Sequence, residues 1–146
     1  MQRLIKLKKV LKNSVLASAV EGFKSLKVST GKYRPLSPAE IEVLEKNGNS
    51  CDDWSKIMVE PAFVPERIYR SVFMGDVYLP AFFGTLLLPG DVSFQTGIYD
   101  SLVHNCIIEN ALVYRVAMLS NAIVRRGAVV QNVGSFVGTG KINYMM

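Results

Sequence analysis

Histidine occurs once in the 146 residues, tryptophan once and cysteine twice. Cys51 and Cys106 lie far apart, with neither CxxC spacing nor a histidine nearby, so the sequence holds no zinc-type ligand set and implies no metal. Two such cysteines make no disulfide framework either, and free thiols in a cytoplasmic protein are the simplest reading. Long apolar runs are also missing. The longest, from Leu79 to Leu88, is broken by Pro80 and Gly84 and falls far short of the roughly 20 residues that cross a bilayer. The start of the chain lacks the uninterrupted apolar stretch and small-residue cleavage site of a secretory signal. A phosphate-binding loop is excluded too, because Gly134 to Lys141 is mis-spaced by one residue and Ile142 stands where a hydroxyl is required. No cofactor is implied.

Acids are scarce at one end only. Residues 1–34 carry nine Lys or Arg against Glu21 alone, whereas the rest carries eight against eleven acids. The net charge of +5 therefore belongs to an N-terminal arm, which argues against a nucleic-acid-binding body. Leu4, Leu7, Leu11, Val15 and Phe23 recur near helical spacing between basic residues, so residues 1–32 are expected to form a basic amphipathic helix and linker. Arg3, Lys6, Lys8, Lys9 and Lys12 could contact an acidic surface; such charges more often simply face water.

A second helix is expected after Ser37-Pro38-Ala39-Glu40, where serine caps, proline suits the first turn and glutamate completes a capping box. It should bury Ile41 and Leu44 and stop at Asn47-Gly48, within a helical and turn-rich cap over residues 33–67 that leads to a buried Trp54 and Ile57. From residue 68 onward no long helix is expected. Apolar residues recur every fifth position at Ile98, Val103, Ile108, Val113, Met118 and Ile123, with Ser101, Cys106, Ala111, Val116 and Asn121 two places before the last five. Neither a helix nor a long strand keeps a period of five facing one way. A coiled solenoid does, with one inward residue per short face, so residues 68–146 read as the start of a parallel β-helix whose register slips near Val129 and Val133. The fold class is mainly β, preceded by N-terminal α-helices.

Tyr33-Arg34-Pro35-Leu36-Ser37-Pro38-Ala39-Glu40-Ile41 and Lys46-Asn47-Gly48-Asn49-Ser50-Cys51-Asp52-Asp53-Trp54 resemble a bacterial family catalogued as a domain of unknown function. So do Val72-Phe73-Met74-Gly75-Asp76-Val77 and Gly97-Ile98-Tyr99-Asp100-Ser101, and the likeness spans roughly residues 33–135. It implies a left-handed parallel β-helix related to the hexapeptide-repeat transferases, in proteins several times longer than this chain. The period of five departs from six, and a right-handed, four-sided β-helix is the alternative it leaves open. The tail Lys141-Ile142-Asn143-Tyr144-Met145-Met146 also departs from the family.

His104 is the one candidate general base, by analogy with β-helical acyltransferases, and is expected to point outward or lie at a corner. A lone histidine is more often simply hydrogen-bonded. Asp52 and Asp53 read as a solvated turn, and Cys51 has no basic neighbour to activate it. The expected role is a structural or assembly module of a larger protein, without a complete active site. Its partners would be C-terminal coils beyond Met146 or another subunit, as in a homotrimer. The alternative is a piece of an acyl or sugar-nucleotide transferase with sites between subunits.

Overall fold

A computed structural model describes residues 33–137 and 141–142. The expected basic helix of residues 1–32, and the contacts of its Arg3, Lys6, Lys8, Lys9 and Lys12, lie outside these. The described protein is mainly β with one α-helix, and its dominant feature is a curled parallel sheet.

Strand β1 (Arg34–Pro35) leads into helix α1 (Pro38–Lys46). The capping box forms as the sequence expects: Ser37 Oγ accepts from the Glu40 amide, and Glu40 Oε1 accepts from the Ser37 amide at 2.9 Å. Glu40 also takes a two-pronged contact from Arg34 at 2.9 and 2.8 Å, which ties the incoming strand to the first turn. That guanidinium, with burial opposing it and the Ser37 amide assisting, holds the Glu40 carboxyl down at about 2. Leu44 is fully buried and Ile41 half-buried. The helix closes at Asn47 and Gly48, the latter at φ 86°. Asn49 then makes three buried bonds to backbone, donating to the Leu44 and Ile68 carbonyls and accepting from the Ser71 amide. One side chain thus joins the end of α1 to the strands that follow.

Short strands succeed one another: β2 (Ser50–Cys51), β3 (Ile57–Val59), β4 (Ile68–Tyr69), β5 (Val72–Met74) and β6 (Val77–Leu79). After the hairpin of β7 (Thr85–Leu88) and β8 (Val92–Gln95) come β9 (Gly97–Tyr99), β10 (Leu102–His104) and β11 (Ile107–Ile108). The series ends with β12 (Leu112–Ser120), β13 (Ile123–Val124), β14 (Val129–Val137) and β15 (Lys141–Ile142). Apart from the hairpin and β1, every pairing is parallel. Ile68 pairs with Ile98, Ile98 with Val113 and Val113 with Val130; Phe73, Val103, Leu119 and Phe136 form a second row. Val59 with Leu79, and Ile108 with Val124, belong to a third sheet face. These inward rows make one continuous apolar core. Strands β12 and β14 run unbroken across two faces, which is what curls the sheet.

Corners are made by residues in the left-handed region. One corner stacks Arg70, Asp100, Arg115 and Asn132, and the next stacks Gly75, Asn105 and Asn121, all with φ between 49° and 70°. Asparagine and aspartate tolerate that conformation best among residues with a side chain. Arg70 is tied to Asp100 at 2.7 and 3.0 Å, and the Arg115 guanidinium lies 5.3 Å from the Tyr114 ring centre. At Gly75 a Cβ would come within 2.0 Å of Asn105 Oδ1, the atom that accepts from the Asp76 amide.

The period of five holds only in part. Ile98, Val103, Ile108 and Val113 are buried in the core, but Met118 is only half-buried, and Leu119 takes the inward place. The pairing step shows why: Tyr99 pairs with Tyr114, 15 positions on, but Val103 falls opposite Leu119, one residue more. The extra residue shifts the inward positions to Leu119, Ala122 and Val124, and turns Ile123 outward against Tyr78 and Ile107. The slip comes near Ala117, earlier than Val129. Trp54 is half-buried rather than buried, its Nε1 donating to Glu45 at 3.2 Å, while Ile57 is fully buried.

Candidate functional site

His104, the expected outward or corner residue, is 8% exposed and lies one position before the Asn105 corner. Its Nδ1 is 2.7 Å from Ser120 Oγ, and Ser120 is itself fully buried on the neighbouring strand. This pair links β10 to β12. His104 lies between Met74 and Ser120 in register, on the face of β10 opposite the inward Val103 and beside the corner, as the sequence led one to expect. The thiols are equally unsuited to attack. Burial pushes Cys106 up to about 12, and burial with the nearby Asp52 pushes Cys51 to about 11. Asp53 caps the one-turn helix Trp54–Lys56 by accepting from the Ser55 amide, so it has a structural task. Among the described residues no His, Cys, Asp and Glu gather in a way that could hold a metal ion.

The structure instead forms a cleft where four neighbouring strands of the six-stranded sheet end. Glu60 follows β3, Pro80 to Phe83 follow β6, Glu109 and Asn110 follow β11, and Arg125 and Arg126 follow β13. The cleft has a volume of about 590 Å³, with Tyr33 and Ile108 completing its lining. Its polar walls are fixed by backbone. Glu60 Oε1 accepts from the Ala81 amide at 2.8 Å, and Asn110 both accepts from and donates to the Phe83 backbone. Glu109 Oε1 accepts from the Arg126 amide at 2.7 Å and lies 3.4 Å from Arg125 Nε. Such a site can orient a small ligand between rigid acceptors and a guanidinium. Tyr33, Pro80 and Ile108 stood out in the sequence for other reasons, and the remaining lining residues did not stand out. The one available signal was Arg125-Arg126-Gly127 after an apolar pair, two neighbouring cations at a turn.

Residues 33–145 match the family model described as a domain of unknown function, DUF4954. The chain belongs to that family. The strings that carried the resemblance now have physical reasons in this DUF4954 domain: the Arg34–Glu40 tie, the Asn49 clip, the Gly75 corner and the Asp100 partner of Arg70. An uncharacterised protein of Treponema pallidum (strain Nichols) is 29% identical over 113 residues, covering 77% of this chain and 16% of that protein. The chain therefore spans about a sixth of that relative's length. No solved structure matches, and none of these comparisons supports a kinship with hexapeptide-repeat transferases. No described helix is long and apolar enough to cross a membrane.

Proposed function

We propose that the DUF4954 domain is the opening part of a three-sided parallel β-helix serving as a rigid platform in a longer assembly. The observation that carries this reading is the end of the stack. The inward row through Phe73, Val103 and Leu119 is fully buried, but its last member on β14, Phe136, is only partly so, as is Val133 next to the buried Val116. Strand β14 is paired to β12 along nine residues, and its other edge has no partner among the described residues. An open parallel edge is a template for another strand. From β9 onward, steps of 15 to 18 residues between stacked partners such as Ile98 and Val113 or Ile123 and Lys141 favour three faces per turn. A four-sided helix of five-residue faces would need about 20. Earlier steps are longer, 20 from Ile57 to Val77 and 30 from Ile68 to Ile98. Further coils of a longer chain are the occupant we favour, with another subunit, as in a trimer, in second place.

Hydrogen exchange tests this on the full gene product. Amides of β14 should exchange at least about tenfold more slowly than in the isolated 146-residue chain if coils cover them. If a second subunit does so, protection should rise with protein concentration and the mass should increase accordingly. Fast exchange at β14 under both conditions would sink the platform reading.

A further inference from the structure

We infer that the cleft at the strand ends binds a small organic monoanion, its carboxylate or phosphodiester held by Arg126 and its ring laid against Phe83. The volume of about 590 Å³ lies inside the range of small-molecule sites, roughly 300–1,000 Å³. Charge then narrows the class. Arg125 is neutralised by Glu109 at 3.4 Å, and Arg126 holds the same carboxylate only through its backbone amide, at 2.7 Å. The Arg126 guanidinium has no partner among the described residues, so a planar fork of donors stands at the cleft on a backbone that Glu109 immobilises. Guanidinium forks match carboxylate and phosphate oxygens two at a time.

Two wall carboxylates set the limit on charge. The lining sums to zero, but Glu109 pairs with Arg125 and Glu60 sits at the far end after β3, so one negative charge fits beside Arg126 and a second would face the carboxylates. Glu60 Oε2, opposite, is an acceptor for a ligand hydroxyl or amine, because Oε1 is occupied by the Ala81 amide. The apolar part has its own seat. Phe83 is 65% exposed at the rim, although its backbone is clamped on both sides by Asn110. An aromatic side chain held open on a fixed backbone is a surface for a ring to cover. The four contributing segments are cross-linked by backbone hydrogen bonds, including Glu60 N to Leu79 O and Gly127 N to Asn110 O. The site is therefore preorganised, and binding need not order it.

The test is a titration of the folded chain followed by chemical shifts of its backbone amides. 4-Hydroxybenzoate and methyl phenyl phosphate serve as the two monoanionic probes, and inorganic phosphate and benzyl alcohol each supply half of the recognition. We expect saturable shifts centred on Phe83, Asn110 and Arg126 with at least one monoanion, and at least about tenfold weaker binding of either half. The stronger of the two monoanions identifies the oxyanion. Arg126→Gln should weaken that probe by about tenfold, and Phe83→Ala by about threefold, without loss of fold, since both side chains are exposed. Glu60→Gln, which keeps the acceptor for Ala81, should narrow the gap between inorganic phosphate and the monoanions. The inference is overturned if neither monoanion gives saturable shifts at 20 mM, on the order of the weakest useful affinities. Binding unchanged in Arg126→Gln, or shifts that map away from the cleft, would overturn it as well.

Discussion

At the scale of single residues the fold depends on positions where no side chain fits. Gly97, at φ 155°, would place a Cβ 2.1 Å from the Arg67 carbonyl oxygen, which is backbone and cannot turn aside. Gly97→Ala should therefore cost about 2–4 kcal/mol in urea unfolding. Gly134→Ala meets nothing within 4 Å and has no left-handed φ, so it should stay within about 0.5 kcal/mol of the parent. Equal effects of the two substitutions would show that the close approach of β9 to Arg67 is not what Gly97 provides. Glycine at 97 was visible in the sequence as part of a string that carries the family resemblance; the carbonyl 30 positions away that demands it was not.

At the scale of elements, α1 is held at its first turn by charge. Glu40 is held at about 2 by Arg34 against an ordinary value of 4.5. A depressed carboxyl contributes stability that is complete above about pH 4.5 and disappears as the pH falls towards 2. A shift of this size sets a ceiling of roughly 3 kcal/mol, and since Arg34 is about a third exposed we expect about 1–2 kcal/mol. Glu40→Gln should be less stable than the parent by that amount at pH 7, and the two denaturation curves should converge between pH 4.5 and 2. A constant difference across that window would assign the effect to packing instead. Helix α1 was legible throughout, because a capping box and a closing glycine are local chemistry. The strand spacing was legible from Ile98 to Val113 and misread beyond, because the extra residue near Ala117 is absorbed by pairing with β10, a partner the local pattern does not display.

At the scale of the whole molecule, the β7–β8 hairpin covers the outside of the curled sheet. Leu88 is buried with Leu112 and Val129, and the Phe94 ring sits 5.0 Å from Tyr114 and 6.1 Å from Tyr99. The three tyrosines 69, 99 and 114 stack in a column beneath it, Tyr69 and Tyr99 nearly parallel. Phe94→Ala should loosen this cover without dissolving the core, at about 1–3 kcal/mol. Limited proteolysis should then cut within residues 85–95 while β12 stays intact; cleavage in β12 at the same rate would mean that hairpin and core unfold together. Proline and glycine marked this region as turns, but its role as a lid over an aromatic column depends on strands brought together from residues 69, 99 and 114.

The sequence alone determined the class of structure: short β faces, one capped helix, and membership hints in strings whose atoms turn out to clip neighbouring segments. Those are local properties, carried by caps, glycine and residue period. Only the tertiary structure decided that His104 meets Ser120, on the neighbouring strand. It alone gathers Glu60, Phe83, Asn110 and Arg126 around one cleft. Stacked parallel strands place residues from successive turns side by side, so a site built at their ends is spread over more than 60 positions and has no signature in any one stretch of chain.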